Sequence, residues 1–145
     1  KIVDYYHMQR SMVDFKDVMQ AIVAIDKFDS VIFKERIFDK KDFLALIMAE
    51  SNFNPRATSY KGAKGLWQVL HVKKYLVEVN GVKDPYDIFC NTKMGMEILR
   101  DKYRFHQSKK KSIIAYNGLT YDERGDLNDI YYIKWKKCRD ILEAF

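Results

Sequence analysis

ALIMAESNFNPRATSYKGAKGLWQV, from Ala45 to Val69, changes character in its middle, and that change sets the reading of the chain. Before the break, Phe43, Leu44, Ile47 and Met48 make Lys41 to Glu50 an apolar helix that ends on a carboxylate. After it, Ser51 to Lys64 is rich in Ser, Asn, Pro, Arg, Thr, Tyr and Gly, a loop composition too short to link two domains. A carboxyl at a helix end beside a loop is accessible to substrate. If Ile47, Met48 and Phe53 enclose it, desolvation raises its pKa. A carboxylic acid still protonated near neutrality can give its proton to a glycosidic oxygen. Taken alone, Glu50 would more often be an exposed helix end, so its neighbours decide.

On both sides of this stretch apolar residues repeat at helical spacing, and only two prolines and six glycines interrupt them, so the chain reads as all-α. Met8, Met12, Phe15, Met19, Ile22 and Ile25 mark one face of a long first helix, followed by a connection over Ser30 to Asp39. Gly65 is expected to begin a helix carrying Leu66, Val69 and Leu70. Asn80-Gly81 stops helix and Asp84-Pro85 turns the chain. Asn91 reads as the N-cap of a helix through about Phe105, with Met94, Ile98 and Leu99 inward. A short helix covers Ser112 to Tyr116. Asn128 or Asp129 caps the last one, with Tyr131, Trp135, Cys138, Leu142 and Phe145 on one stripe. Length and the absence of repeats make 1–145 a single domain, with 1–39 its less assignable N-terminal helical region.

Lys and Arg number 26 against 20 Asp and Glu, a net charge of +6, which favours a polyanionic partner such as nucleic acid or an anionic cell wall. The basic residues are dispersed, and Lys109-Lys110-Lys111 reads as a solvated surface, so nucleic acid ranks low. Cys90 and Cys138 form no CxxC pair, which argues against structural zinc. A disulfide is open to an exported chain, but the apolar stripe around Cys138 favours a buried free thiol. His7, His71 and His106 are scattered and form no HExxH pattern, so no metal site is read. Lys1 to Gln9 lacks the apolar segment of a signal peptide, leaving the export route unread.

The boxes around the break occur in order: Glu50-Ser51, Asn54-Pro55, Ser59 with Gly62-Ala63, Gly65-Leu66-Trp67-Gln68, and Ala115-Tyr116-Asn117. Between them lie Asp84-Pro85-Tyr86-Asp87, Asn91 and Gly95. Together they resemble the lytic transglycosylase domain of the soluble type, which carries an ES pair, a GLMQ-like box and an AYN box. The resemblance runs from Asp42 to about Ile141 and implies an all-α, lysozyme-like fold with a glycan-binding groove. It implies that Glu50 is the catalytic acid and base, that Tyr116 helps position it, and that Ser51, Ser59, Trp67, Gln68, Tyr116 and Asn117 meet the substrate. Each residue also has a plainer reading. Ser59 can cap its own loop, Trp67 can fill core where the family usually has Met, Tyr116 can be buried with a satisfied hydroxyl, and Asn117 can end its helix. Gly118 follows the AYN box at once, one position early for the family, so the loop Leu119 to Leu127 transfers least.

The resemblance implies cleavage of the β-1,4 bond between N-acetylmuramic acid and N-acetylglucosamine in peptidoglycan strands, with formation of 1,6-anhydro-muramic ends and no cofactor. Two alternatives stand beside it. A hydrolytic muramidase needs a second carboxylate, for which Asp84, Asp87, Asp122 and Glu123 are available. A noncatalytic cell-wall-binding or assembly protein would keep the groove without the chemistry. The expected location is the cell envelope or periplasm, after export. The task is left open among wall remodelling, insertion of an envelope-spanning secretion machine and phage entry, as are the oligomeric state and the role of the first helix.

Overall fold

The helix that ends near Glu50 is the second of six among the described residues, 13–144, of the computed structural model. In chain order they are α1 (Phe15–Ile32), α2 (Lys40–Ser51), α3 (Val72–Tyr75), α4 (Ile88–His106), α5 (Lys109–Asn117) and α6 (Ile130–Glu143). No strand is present among these residues; isolated bridges such as Thr58 with Lys64 and Lys64 with Val69 tie the loops. The all-α reading holds.

A capping box starts α2: Asp39 Oδ1 accepts the Asp42 N–H at 2.9 Å, and Asp42 Oδ2 accepts the Asp39 N–H at 2.8 Å. Asp42 is fully buried, and its charge is met by Arg139 at 3.0 Å and Lys109 at 2.8 Å. Arg139 also forks onto both oxygens of Asp39, at 2.8 and 3.0 Å, and Trp135 Nε1 donates to the Asp42 carbonyl at 3.1 Å. These contacts lay α6 antiparallel along α2. Lys109 and Lys110 are therefore not simply solvated: Lys109 meets a buried carboxylate and Lys110 sits over the Tyr132 ring.

The core gathers around Trp67, which is fully buried, tilted against Phe43 and edge-on to Tyr116. Its ring lies on Gly95 of α4, where an added Cβ would overlap the indole. Asn91, one turn into α4, is buried and holds the Trp67 loop: its Oδ1 accepts the Trp67 N–H, and its Nδ2 donates to the carbonyls of Lys64 and Pro85, each at 2.8 Å. Gly65 is needed there, because its φ is 78° and a Cβ would come within 2.7 Å of Asn91 Cγ.

Several expectations are corrected. Asp87, not Asn91, caps α4, accepting the Cys90 N–H at 3.0 Å. Gly65 begins no helix: Gly65 and Gln68 both take positive φ, and Lys64 pairs with Val69 to close a tight turn with Leu66 inside. The inward face of α1 is Ala21, Ala24, Ile25, Phe28 and Ile32, whereas Phe15 and Met19 are 75% and 43% exposed. Small alanines let α1 approach α4 closely, which a count of large apolar residues does not register. α5 begins earlier than expected, at Lys109, because the Ser108 hydroxyl accepts the Lys111 N–H. At α6, Asp129 holds the cap position, but the side-chain Oδ1 of Asn128 accepts the Ile130 N–H. Cys90 and Cys138 are buried free thiols. Met8, Met12, His7 and Phe145 lie outside the described residues.

Candidate active site

Glu50 occupies the last turn of α2, where the helix stops abruptly. Asn52 and Phe53 both take left-handed conformations, with φ of 51° and 63°. Such conformations cost about 1–3 kcal/mol each for residues other than glycine. Burial of the Phe53 side chain and the Asn52 N–H bond to the Met48 carbonyl at 3.0 Å hold the turn in place. The chain then doubles back so that Gly65 to Gln68 passes beside the helix end. Ser51 makes the junction, its hydroxyl 2.8 Å from the Leu66 carbonyl and 3.2 Å from that of Ile47.

Burial pushes the pKa of Glu50 up to about 7. Three groups oppose that shift: the Tyr131 hydroxyl, which donates to Oε2, the Lys134 ammonium, and the nearby Asn117 side chain. The result is an acid divided between its two forms near neutrality, with donors already in place for its anion. The phenols of Tyr131 and Tyr116 are raised well above their ordinary pKa, first by burial and then by the charge of Glu50, so both remain protonated donors.

The other expected residues separate into three groups. Asn117, at the end of α5, is exposed and reaches Glu50. Tyr116 stands near the acid, but its hydroxyl donates to the Trp67 carbonyl at 2.6 Å. Gln68 uses its amide nitrogen on the carbonyls of Gly65 and Ala57, at 3.0 and 3.2 Å, and borders the cleft described below. Ser59 accepts the Ala63 N–H at 3.0 Å and so caps its own loop, although its hydroxyl still has a proton to donate. Two assignments are overturned. Trp67 is 0% exposed and cannot be a stacking wall, and the buried Ser51 hydroxyl is engaged by backbone.

Tyr131 was not among the expected site residues. It shares the α6 stripe with Trp135 and Cys138, and that period reads as core. The overlooked signal is its hydroxyl: a tyrosine on an apolar stripe needs a polar partner once buried. The carboxylates considered for a second catalytic group are occupied locally. Asp84 accepts the Tyr86 N–H, Asp87 caps α4, and Asp122 accepts from Arg124 and Asp126, while Glu123 is exposed. Among the described residues no carboxylate is hydrogen-bonded to Glu50, and none is among the causes of its raised pKa.

A cleft of about 700 Å³ opens at Tyr116 and Asn117 and runs between α4 and the segment around α3. Gln68, Gly118 and Leu119 border its near end. His71 and His106, scattered in sequence, both line it.

The family model described as Transglycosylase SLT domain matches residues 34–128. Neither a curated protein nor a solved structure gives a significant match. The matched segment contains Glu50, the returning loop, α4, α5 and Asn117; Tyr131 and Lys134 lie just beyond it. The chain belongs to the transglycosylase SLT domain family, a lysozyme-like family of the lytic transglycosylase type that acts on peptidoglycan.

Proposed function

We propose that the protein cleaves the bond between N-acetylmuramic acid and N-acetylglucosamine in peptidoglycan of the cell envelope or periplasm, leaving 1,6-anhydro-muramic ends. The observation that carries this reading is a part-buried acid with a raised pKa, bonded by the Tyr131 hydroxyl near the Asn117 side chain, to which no second carboxylate is bonded among the described residues. Protonated Glu50 gives its proton to the glycosidic oxygen as the C1–O bond breaks. The muramic acetamido group supports the cation developing at C1, as in glycosidases assisted by their own substrate. Tyr131, Asn117 and Lys134 stabilise the carboxylate that proton transfer creates. That carboxylate then removes the proton of the muramic C6 hydroxyl while its oxygen bonds C1, closing the ring and restoring the acid. Ser59 and Gln68 meet the sugar from the returning loop.

Mass spectrometry of muropeptides released by the purified protein tests the reading. Products should be lighter by one water than hydrolytic ones, and Glu50→Gln should bind glycan while releasing almost nothing. Hydrated reducing ends would assign the protein as a muramidase. Binding without release by folded wild-type protein would leave a noncatalytic wall-binding protein.

A further inference from the structure

The cleft leading away from Asn117 is lined by two kinds of side chain. Leu70 and Phe105, 53% and 81% exposed, give it an apolar surface. Lys74, Lys102, His71 and His106 give it a basic one, with Lys102 and His106 one turn apart on α4. The basic charge is not cancelled within the cleft. Asp101, the acid in the lining, accepts the Tyr75 hydroxyl at 2.8 Å and pairs with Arg100 at 3.0 Å. Lys74 and Lys102 make no ion pair among the described residues; Lys74 lies over the Tyr75 ring instead. His106 registers the crowding of cations, its pKa lowered by burial and then by Lys111 and Lys102.

Glu50 does not line this cleft; Tyr116 and Asn117 connect the two. An occupant of the cleft is therefore carried by the glycan to one side of the bond being broken. The acidic arm of muramic acid is its lactyl group, which in the wall carries a short peptide with alanyl methyls and free carboxylates. Methyls match Leu70 and Phe105, and carboxylates match unpaired ammonium groups.

We infer that this cleft is a subsite for the peptide arm of muramic acid, with Lys74 and Lys102 receiving its carboxylates. The inference rests on the peptidoglycan reading above. Its test measures binding by the Glu50→Gln protein, which leaves ligands uncut, to three tetrasaccharides: a peptide-bearing muramoyl glycan, the same glycan stripped by an amidase to its lactyl carboxylates, and uncharged chitotetraose. Adding Lys74→Gln and Lys102→Gln should weaken the first by about tenfold and leave the others within about twofold. The matched pair Lys27→Gln and Lys136→Gln, exposed and outside the cleft lining, should change none of the three. An equal loss on the stripped glycan would place the lactyl carboxylate there and overturn the peptide assignment. An equal loss on all three ligands, an equal loss from the control pair, or no loss would overturn the subsite itself. Failure of the parent to bind any of the three would remove the peptidoglycan reading and the inference with it.

Discussion

Tyr131→Phe keeps the ring that packs on the α6 stripe and deletes only the hydroxyl that donates to Glu50 Oε2. A hydrogen bond to a charged group is worth about 1.5–3 kcal/mol. That loss falls on the anionic form of Glu50, so the pKa of the acid rises. Glu50 must be protonated to attack the glycosidic oxygen, and wild-type kcat/KM therefore declines as pH rises through about 7. In Tyr131→Phe the declining limb should move to higher pH by roughly 1–2 units. The plateau below it should fall by roughly one to two orders of magnitude, because the carboxylate formed in the transition state has lost a donor. Release of soluble muropeptides across a pH series, with circular dichroism confirming the fold, measures both quantities. A folded Tyr131→Phe with its limb still near 7 and a wild-type plateau would refute the role given to the phenol.

Further outcomes follow from other contacts. Folding raises the pKa of Glu50 from 4.5 to about 7, so this group favours the folded state fully below pH 4.5 and loses that contribution as pH rises through about 7. Glu50→Gln should therefore melt like wild type at pH 4 and be more stable at pH 8, by on the order of 3 kcal/mol; equal melting curves at both pH values would contradict the burial of the acid. Gly95→Ala should lower the melting temperature, since overpacking against Trp67 costs about 1–3 kcal/mol and outweighs the gain of at most about 1 kcal/mol in helix propensity. A higher melting temperature would mean that the indole has room to move. Tyr116→Phe should cost about 0.5–1.5 kcal/mol of stability, through the lost bond to the Trp67 carbonyl, and should shift the pH limb less than Tyr131→Phe. Equal shifts in the two variants would place both hydroxyls on the acid.

Much of the fold was legible because its signals are local. The break at Glu50, the turn at Asp84-Pro85 and the stripe through Trp135 and Cys138 each appear within a few residues. The corrections arise where a distant partner decides. Asn91 looks like a cap by residue type, but its amide is needed inside to hold the loop at Lys64 and Trp67. The segment after Gly65 has helical spacing, yet the positive φ of Gly65 and Gln68 turns it back on Lys64. At the site, Glu50 and Asn117 could be found from their boxes, because a motif brings its own neighbours. Tyr131 could not, because its partner lies 81 residues away and its position follows the core period of α6. Trp67 shows the opposite error: its size invited a role in stacking, whereas Gly95 opposite it makes the space that buries it.

Helices α2 and α6 act on one another as paired rulers. Asp42 meets Arg139 at one end and Glu50 meets Tyr131 at the other, and the contact points stand eight positions apart on each helix. At 1.5 Å per residue both intervals measure about 12 Å. An inserted or deleted residue inside either interval would turn one set of side chains by about 100° and offset it by about 1.5 Å, so both contacts could not persist. The spacing of α6 thus enters the chemistry without touching the cleft. A length change between Tyr131 and Arg139 should be as harmful to proton transfer as removing the phenol, even where every residue around the substrate is retained.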